Sequence, residues 1–165
     1  LIGGLAMSLR GVQHSTLDAD FILLAEDLEA CDAVLGGMGY QLEFRSENVS
    51  HYINNKNALK RLDFLHAFRQ ATLGMLDRAE RLNINSSCAI PVVHTEYLIG
   101  LKVQASVNDV DREISDWNDI YLLIDHTARL GKPLDWELIE DYLEAFRLEN
   151  KLKELKHRYG KIESS

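Results

Sequence analysis

The opening of this 165-residue chain constrains the fold more than any other stretch. A short apolar segment leads into a glycine pair, Gly3 and Gly4, and a small-residue helix is predicted over 5–9. After a polar loop, residues 18–24 read as a strand that begins with two aspartates one residue apart. The sequence therefore predicts a strand, a tight turn, a helix and a second strand, in that order.

The two aspartates of this opening are predicted to share one face of the strand. Side chains alternate along a strand, so Asp18 and Asp20 point the same way. Carboxylates in that arrangement repel each other unless a cation lies between them, and Mg²⁺ prefers one or two carboxylates together with phosphate oxygens and water. Without Cβ atoms, Gly3 and Gly4 let phosphate oxygens approach the backbone N–H groups at the helix start. These residues predict a site for a metal-bound nucleotide.

The spacing of these residues carries a family resemblance. Gly3 and Gly4, a gap of thirteen residues, the Asp-Ala-Asp at 18–20 and the apolar strand that follows resemble the signature of the nucleotidyltransferase superfamily. Its members share the polymerase-beta-like fold. Within it, the chain is similar to minimal bacterial proteins of the abortive-infection toxin type, which are usually paired with an antitoxin.

The resemblance implies a fold and an activity. The implied fold is α+β: a mixed β-sheet with flanking helices, followed by a C-terminal helical part. The implied reaction is transfer of an NMP from an NTP to a hydroxyl of an RNA or protein acceptor, with Mg²⁺ or Mn²⁺ as cofactor and an antitoxin as a further partner. Another interpretation is a catalytically idle nucleotide-binding or regulatory protein with the same fold.

A third carboxylate is expected on a strand predicted over 58–65. Asp63 follows a predicted hairpin over 40–53, where the superfamily usually has its third acid. The resemblance gives Asp63 the role of general base for the attacking hydroxyl or of ligand to a second metal. The structural alternative is a strand acid paired with Arg61 or Lys60. The catalytic residues and metal ligands implied are Asp18, Asp20 and Asp63.

The second part of the chain is predicted to be helical. Helices are expected over 95–107, 113–130 and 135–159, after a helix over 69–82 and a strand region over 84–93. The predicted domains are a nucleotidyltransferase catalytic core over 1–94 and a C-terminal helical part over 95–165, packed on the core. An apolar stripe on the last helix also allows an interaction module that pairs with another chain.

Two of these helices carry charged residues in apolar surroundings. A lysine within an apolar helix, Lys102, followed by Asp116 and Asp119, resembles the second half of the toxin-type proteins. The resemblance implies that Lys102 contacts nucleotide phosphates and that Asp119 completes the site, with Asp116 as the alternative. The other interpretation is that the two acids lie on a solvated helix face. The nucleotide-binding residues implied are Gly3, Gly4, Thr16, Lys102 and Asp119.

Composition limits the partners. With 18 basic and 26 acidic residues the formal charge is −8, so nothing global attracts nucleic acid or an anionic membrane. An RNA acceptor needs a local basic surface, and the sequence offers one over 151–161. No apolar run approaches the roughly 20 residues of a membrane helix. Cys31 and Cys88 lack zinc or disulfide spacing, which favours a reduced cytoplasmic setting. Because the chain starts within a predicted strand and without Met, we expect residues before Leu1.

Overall fold

The computed structural model describes residues 1–160, which form two compact units, Leu1–His94 and a second unit from Thr95 onward. The helices of the first unit are α1 (Gly3–Leu9), α2 (Leu28–Gly37) and α3 (Gln70–Asp77). Its strands are β1 (Asp18–Leu24), β2 (Gln41–Arg45), β3 (Val49–Ile53), β4 (Arg61–Ala67), β5 (Glu80–Asn85) and β6 (Cys88–Val92). The helices of the second unit are α4 (Thr95–Asn108), α5 (Glu113–Arg129), α6 (Trp136–Ala145) and α7 (Glu149–Tyr159).

The main sheet of the first unit has four strands in the order β1-β4-β3-β2. β1 and β4 are parallel, whereas β4, β3 and β2 pair antiparallel, so the sheet is mixed. Ile2 forms an isolated bridge to Asp20, which attaches the chain start to the outer side of β1. The predicted helix, second strand and hairpin are observed in that order, but the opening strand is reduced to this single bridge and the helix begins at Gly3, where a turn was predicted.

One face of this sheet carries the core of the first unit. Ala19, Leu62 and Phe64 are buried there, with Phe21 stacked on Phe64 at 5.3 Å between ring centroids. Leu35 and Cys31 of α2 cover this face. Because side chains alternate along each strand, the residues between these apolar positions point to the opposite face.

A polar network ties α2 to the hairpin of β2 and β3. Arg45 donates from both terminal nitrogens to Asp32, at 2.9 and 2.7 Å, and the Tyr52 hydroxyl donates to the same carboxylate. The hydrogen bonds from Arg45 and then from Tyr52 lower the pKa of Asp32. The network therefore holds the carboxylate in its charged form and fixes the helix against the sheet.

The predicted helix over 69–82 is wrong in its second half. α3 ends at Asp77, and Glu80–Asn85 is a strand that pairs antiparallel with Cys88–Val92 in a separate two-stranded sheet. Most side chains of β5 are exposed, so no alternation of buried and exposed residues marked it as a strand. Backbone hydrogen bonding across the hairpin decides its structure. β4 also begins later than predicted, at Arg61.

In the second unit α4 packs against α5 and α6, and α6 packs against α7. The single long helix predicted over 135–159 is wrong, because Arg147 adopts a left-handed φ of 58° and separates α6 from α7. The predicted cap is observed: the Asp135 carboxylate accepts a hydrogen bond from the Leu138 N–H at 3.1 Å. Over residues 1–160, no helix combines the length and apolar character needed to cross a membrane.

Candidate active site

The start of α1 lies directly against the second aspartate of β1. Ile2 donates its N–H to the Asp20 carbonyl oxygen at 2.8 Å. Gly3 has a φ of +66°, and a Cβ placed on it would lie 1.9 Å from Asp20 Oδ2. Only glycine leaves room for the Asp20 carboxylate here. The first glycine of the motif is therefore required by sterics, whatever else its N–H group binds.

The second glycine makes room for the loop that precedes β1. A Cβ on Gly4 would lie 2.6 Å from His14 Nδ1 and 3.1 Å from Thr16 Cγ2. Ser8 Oγ lies 3.2 Å from the Gly4 carbonyl oxygen and 3.0 Å from that of His14, and donates to them. Thr16 Oγ1 accepts from the Asp18 N–H at 3.1 Å, so this residue fixes the start of the strand. Gly4 and Thr16 thus hold the loop that leads into the aspartate pair.

The register of the sheet places two of the predicted carboxylates side by side. Asp20 of β1 is opposite Asp63 of β4, and Asp18 is opposite Arg61. Ala19, between the two aspartates, is fully buried on the core face, so Asp18 and Asp20 point to the other face. Neighbouring strands lie about 4.8 Å apart, and residues opposite each other point the same way. Asp18, Asp20 and Asp63 therefore share one face of the sheet.

Asp63 is engaged by two basic side chains. His51 Nδ1 lies 2.7 Å from Asp63 Oδ1. Arg61 Nε donates to Oδ1 at 2.8 Å and to Oδ2 at 3.1 Å, and its Nη1 donates to Glu43 at 3.2 Å. The pairing with Arg61 that the sequence left as a structural alternative is thus present, together with the placement beside Asp20. The His51 contact was missed, because only the antiparallel register of β3 and β4 brings His51 opposite Asp63.

The carboxylates on this face fit a metal ion that is bound partly by the protein and partly by a nucleotide. Within residues 1–160, no group of three or more His, Cys, Asp or Glu side chains is arranged to hold a metal by itself. Mg²⁺ usually binds one or two carboxylates and completes its shell with phosphate oxygens and water. Asp18 and Asp20 present two carboxylates on one face of the sheet, an arrangement that suits that mode. Asp63 fits the third position less well, since Oδ1 already accepts from His51 and Arg61.

The charged residues predicted in the second unit form a buried cluster. Lys102 Nζ lies 2.9 Å from Asp116 Oδ1 and 2.7 Å from Asp119 Oδ2. The Asp116 side chain is only 1% exposed and that of Asp119 is 9% exposed. The interpretation as a solvated helix face is therefore wrong. Arg112 approaches Asp116 Oδ1 at 3.4 Å, and Asp116 Oδ2 is buried without a hydrogen-bond partner in the described part of the chain.

The basic surface predicted over 151–161 is largely paired with acids. Lys151 lies 3.2 Å from Glu154, Lys156 lies 2.7 Å from Glu140, and Arg158 lies 3.5 Å from Asp125. Lys151 and Arg158 also lie over the rings of Trp117 and Tyr121, at 4.6 and 4.9 Å from their centroids. Lys161 falls outside the described residues. This end of the chain therefore offers a nucleic-acid backbone less positive charge than its sequence indicates.

Comparison with solved structures shows a likeness over nearly the whole chain. The antibiotic-resistance factor ANT(2'')-Ia, an aminoglycoside nucleotidyltransferase known from a solution structure with substrate-regulated conformation dynamics, superimposes with a TM-score of 0.65. The two chains are 18% identical over 96% of this chain and 86% of that one. No protein-family model matches the chain, and no curated protein matches its sequence.

This likeness establishes the fold. The chain has the α+β nucleotidyltransferase fold, with a mixed sheet, flanking helices and a C-terminal helical part, as predicted. At 18% identity it does not transfer activity or site residues. The comparison gives no support to the toxin type, which stays a prediction together with its antitoxin partner.

Proposed function

We propose that the chain is a metal-dependent nucleotidyltransferase that moves an NMP from an NTP to an acceptor hydroxyl, with its catalytic core in residues 1–94. The observation that carries the proposal is the common face of Asp18, Asp20 and Asp63, with Asp20 directly opposite Asp63 in the sheet. Gly3 supports it, since the chain start is shaped around the Asp20 carboxylate.

In this proposal Asp18 and Asp20 bind Mg²⁺ together with the triphosphate. When bound, the metal would neutralise phosphate charge and stabilise the negative charge that develops during transfer. The two carboxylates would hold the metal, and their alternation on β1 places both on one side of the sheet, the side on which the nucleotide would bind. Gly3 and Gly4 keep their predicted role of offering backbone N–H groups to phosphate oxygens.

Asp63 is proposed as the general base. As the acceptor oxygen forms a bond to the α-phosphorus, the bond between that phosphorus and the oxygen bridging to the β-phosphate breaks, and pyrophosphate leaves. The acceptor's proton passes to Asp63 Oδ2, the oxygen with the weaker contact to Arg61, and then to solvent. Arg61 limits the build-up of negative charge where Asp20 and Asp63 lie side by side.

The proposal also includes two residues of the second unit, but the ion pairs of Lys102 affect how it could bind a nucleotide. Lys102 and Asp119 keep the predicted role of nucleotide-binding residues. Lys102 already makes ion pairs with two buried aspartates, so contact with a phosphate would compete with Asp116 and Asp119 for the same ammonium.

Two acceptor classes remain in this proposal. The sequence favours an RNA or protein hydroxyl, but the cations of α7 that would guide RNA are paired with acids. This pairing, and the likeness to an antibiotic-resistance factor, favour a small hydroxylated molecule as the second candidate. The toxin role belongs with the first class and a resistance-like role with the second.

The decisive experiment supplies each α-labelled NTP with Mg²⁺ to three acceptor pools: RNA, protein, and small polyhydroxylated molecules including aminoglycosides. Transfer of label and release of pyrophosphate are measured for the parent and for Asp20→Asn and Asp63→Asn. The exposed acid Asp27 provides a matched control, Asp27→Asn, which should remain active. Nucleotide binding without label transfer or pyrophosphate release in any pool would identify the idle binding protein instead.

A further inference from the structure

One row of side chains crosses the whole main sheet on the face that carries the aspartates. Asp20, Asp63 and His51 are opposite one another on β1, β4 and β3. Phe44 of the edge strand β2 continues the row, opposite His51. The row therefore leads from the proposed metal ligands through the proposed base to an imidazole and then to a half-exposed aromatic ring.

Within this row His51 distinguishes the two oxygens of Asp63. Arg61 Nε contacts both oxygens, at 2.8 Å for Oδ1 and 3.1 Å for Oδ2, so it favours neither strongly. His51 Nδ1 contacts Oδ1 alone, at 2.7 Å. Oδ1 is thus held by two short contacts, and Oδ2 keeps lone pairs for another partner. The asymmetry of the carboxylate comes mainly from His51, and the longer contact of Arg61 to Oδ2 adds to it.

The imidazole is itself held in place. Its ring stacks on Phe44 with centroids 5.5 Å apart and planes 22° apart. The His51 side chain is 24% exposed, so one part of the ring is enclosed by its neighbours. A ring held by stacking on one side and by a charge-assisted hydrogen bond to the carboxylate has little freedom to turn.

We propose that His51 is a positioning residue for nucleotidyl transfer. By donating its Nδ1–H to Asp63 Oδ1, it turns Oδ2 toward the acceptor hydroxyl, and Phe44 keeps the ring in that orientation. The inference rests on the proposed function, in which Asp63 is the base. A general base must lie within hydrogen-bond reach of the proton it removes, and a small misorientation of its carboxylate slows the reaction.

Two substitutions at His51 separate this role from a structural one. His51→Asn retains an N–H donor on the atom that corresponds to Nδ1, whereas His51→Leu retains bulk without a donor. We expect His51→Leu to lower kcat for pyrophosphate release by about 10–100-fold with KM for the NTP unchanged. His51→Asn should restore most of the activity. His157→Leu, at an exposed histidine of α7, is the matched control and should resemble the parent.

The orientation has a second readout that needs no turnover. Long-range proton–nitrogen correlation NMR on the intact protein should show a proton on His51 Nδ1, since a bare nitrogen would face the carboxylate lone pairs. The signal should change in Asp63→Asn and persist in Asp27→Asn.

The outcomes are distinguishable. A parent that releases pyrophosphate, together with equal kcat for His51→Leu and His51→Asn, refutes the positioning role and leaves the proposed function intact. An unprotonated Nδ1 refutes it as well. A parent that releases no pyrophosphate, with any acceptor pool or with water as acceptor, refutes the proposed function and this inference with it.

Discussion

Replacing Gly3 by alanine tests whether the chain start is shaped around the Asp20 carboxylate. Gly3 has a φ of +66°, and the added Cβ would lie 1.9, 2.6 and 2.8 Å from Asp20 Oδ2, Cγ and Cβ. These distances are far below van der Waals contact, so Asp20 or the start of α1 must move. Gly3→Ala is therefore expected to reduce stability and to displace a proposed metal ligand at the same time.

The magnitude can be built from two parts. A left-handed conformation costs an alanine about 1–2 kcal/mol, partly offset by about 0.4–1 kcal/mol from the stiffer unfolded chain. Forcing extra volume into a packed site adds about 1–3 kcal/mol. We expect Gly3→Ala to lower the free energy of unfolding by about 1–5 kcal/mol.

Two other glycines of the chain separate these parts. Gly131 has a φ of +64° with nothing within 4 Å of an added Cβ, so Gly131→Ala reports backbone strain alone. Gly36, inside α2, has neither a positive φ nor a neighbour within 4 Å, so Gly36→Ala should stabilise by up to about 1 kcal/mol. All three variants are compared by urea unfolding, with retained m-values as the check on two-state behaviour.

The clash has its own test in a double-mutant cycle. Asp20→Ala removes the two closest atoms, so Gly3→Ala should cost less in that background than in the parent. If Gly3→Ala costs no more than Gly131→Ala, or if its cost is the same with and without the Asp20 carboxylate, the steric reasoning is wrong.

Three further predictions address the ligand site, a partly buried phenol and the buried ion cluster. Mg²⁺ and NTP together should stabilise the parent more than either alone, by about 2.7 kcal/mol at 100 times Kd, which is a Tm increase of about 5–10 °C. In a thermal shift assay, Asp20→Asn should lose this extra stabilisation. A response of Asp20→Asn equal to that of the parent would make the aspartate pair structural. Burial raises the pKa of Tyr142 from 10.0 to about 12, so the folded state holds this proton more tightly and stability should fall as the pH rises from about 10 to about 12; alkaline unfolding should show a smaller fall in Tyr142→Phe. Lys102→Met leaves two buried aspartates without their ammonium and should lower the free energy of unfolding by about 3–5 kcal/mol in urea, whereas a lysine that only binds phosphate would change NTP affinity and not stability.

The local parts of the fold could be predicted from the sequence because their signals are local. The glycine pair, the alternation around Asp18 and Asp20 and the hairpin before Asp63 follow from neighbouring residues, and the structure has each of them. The prediction of a helix over 69–82 was wrong in its second half, because the end of this segment has exposed side chains and forms a strand that pairs with β6. The prediction of one continuous helix over 135–159 failed for a related reason. The residues around Arg147 are good helix formers, and only the backbone conformation of Arg147 separates the two helices.

The composition of the site depended on contacts that no local pattern contains. The sequence determined that Asp18 and Asp20 share a face, because that follows from the geometry of one strand. Only the tertiary structure decided that Asp20 lies opposite Asp63 and that His51 bonds one oxygen of Asp63, because strand register is fixed by hydrogen bonds and packing across the whole sheet. The same holds for Lys102, whose partners lie fourteen and more residues away on another helix. These residues pair because the three charges are buried together and each needs an opposite charge beside it.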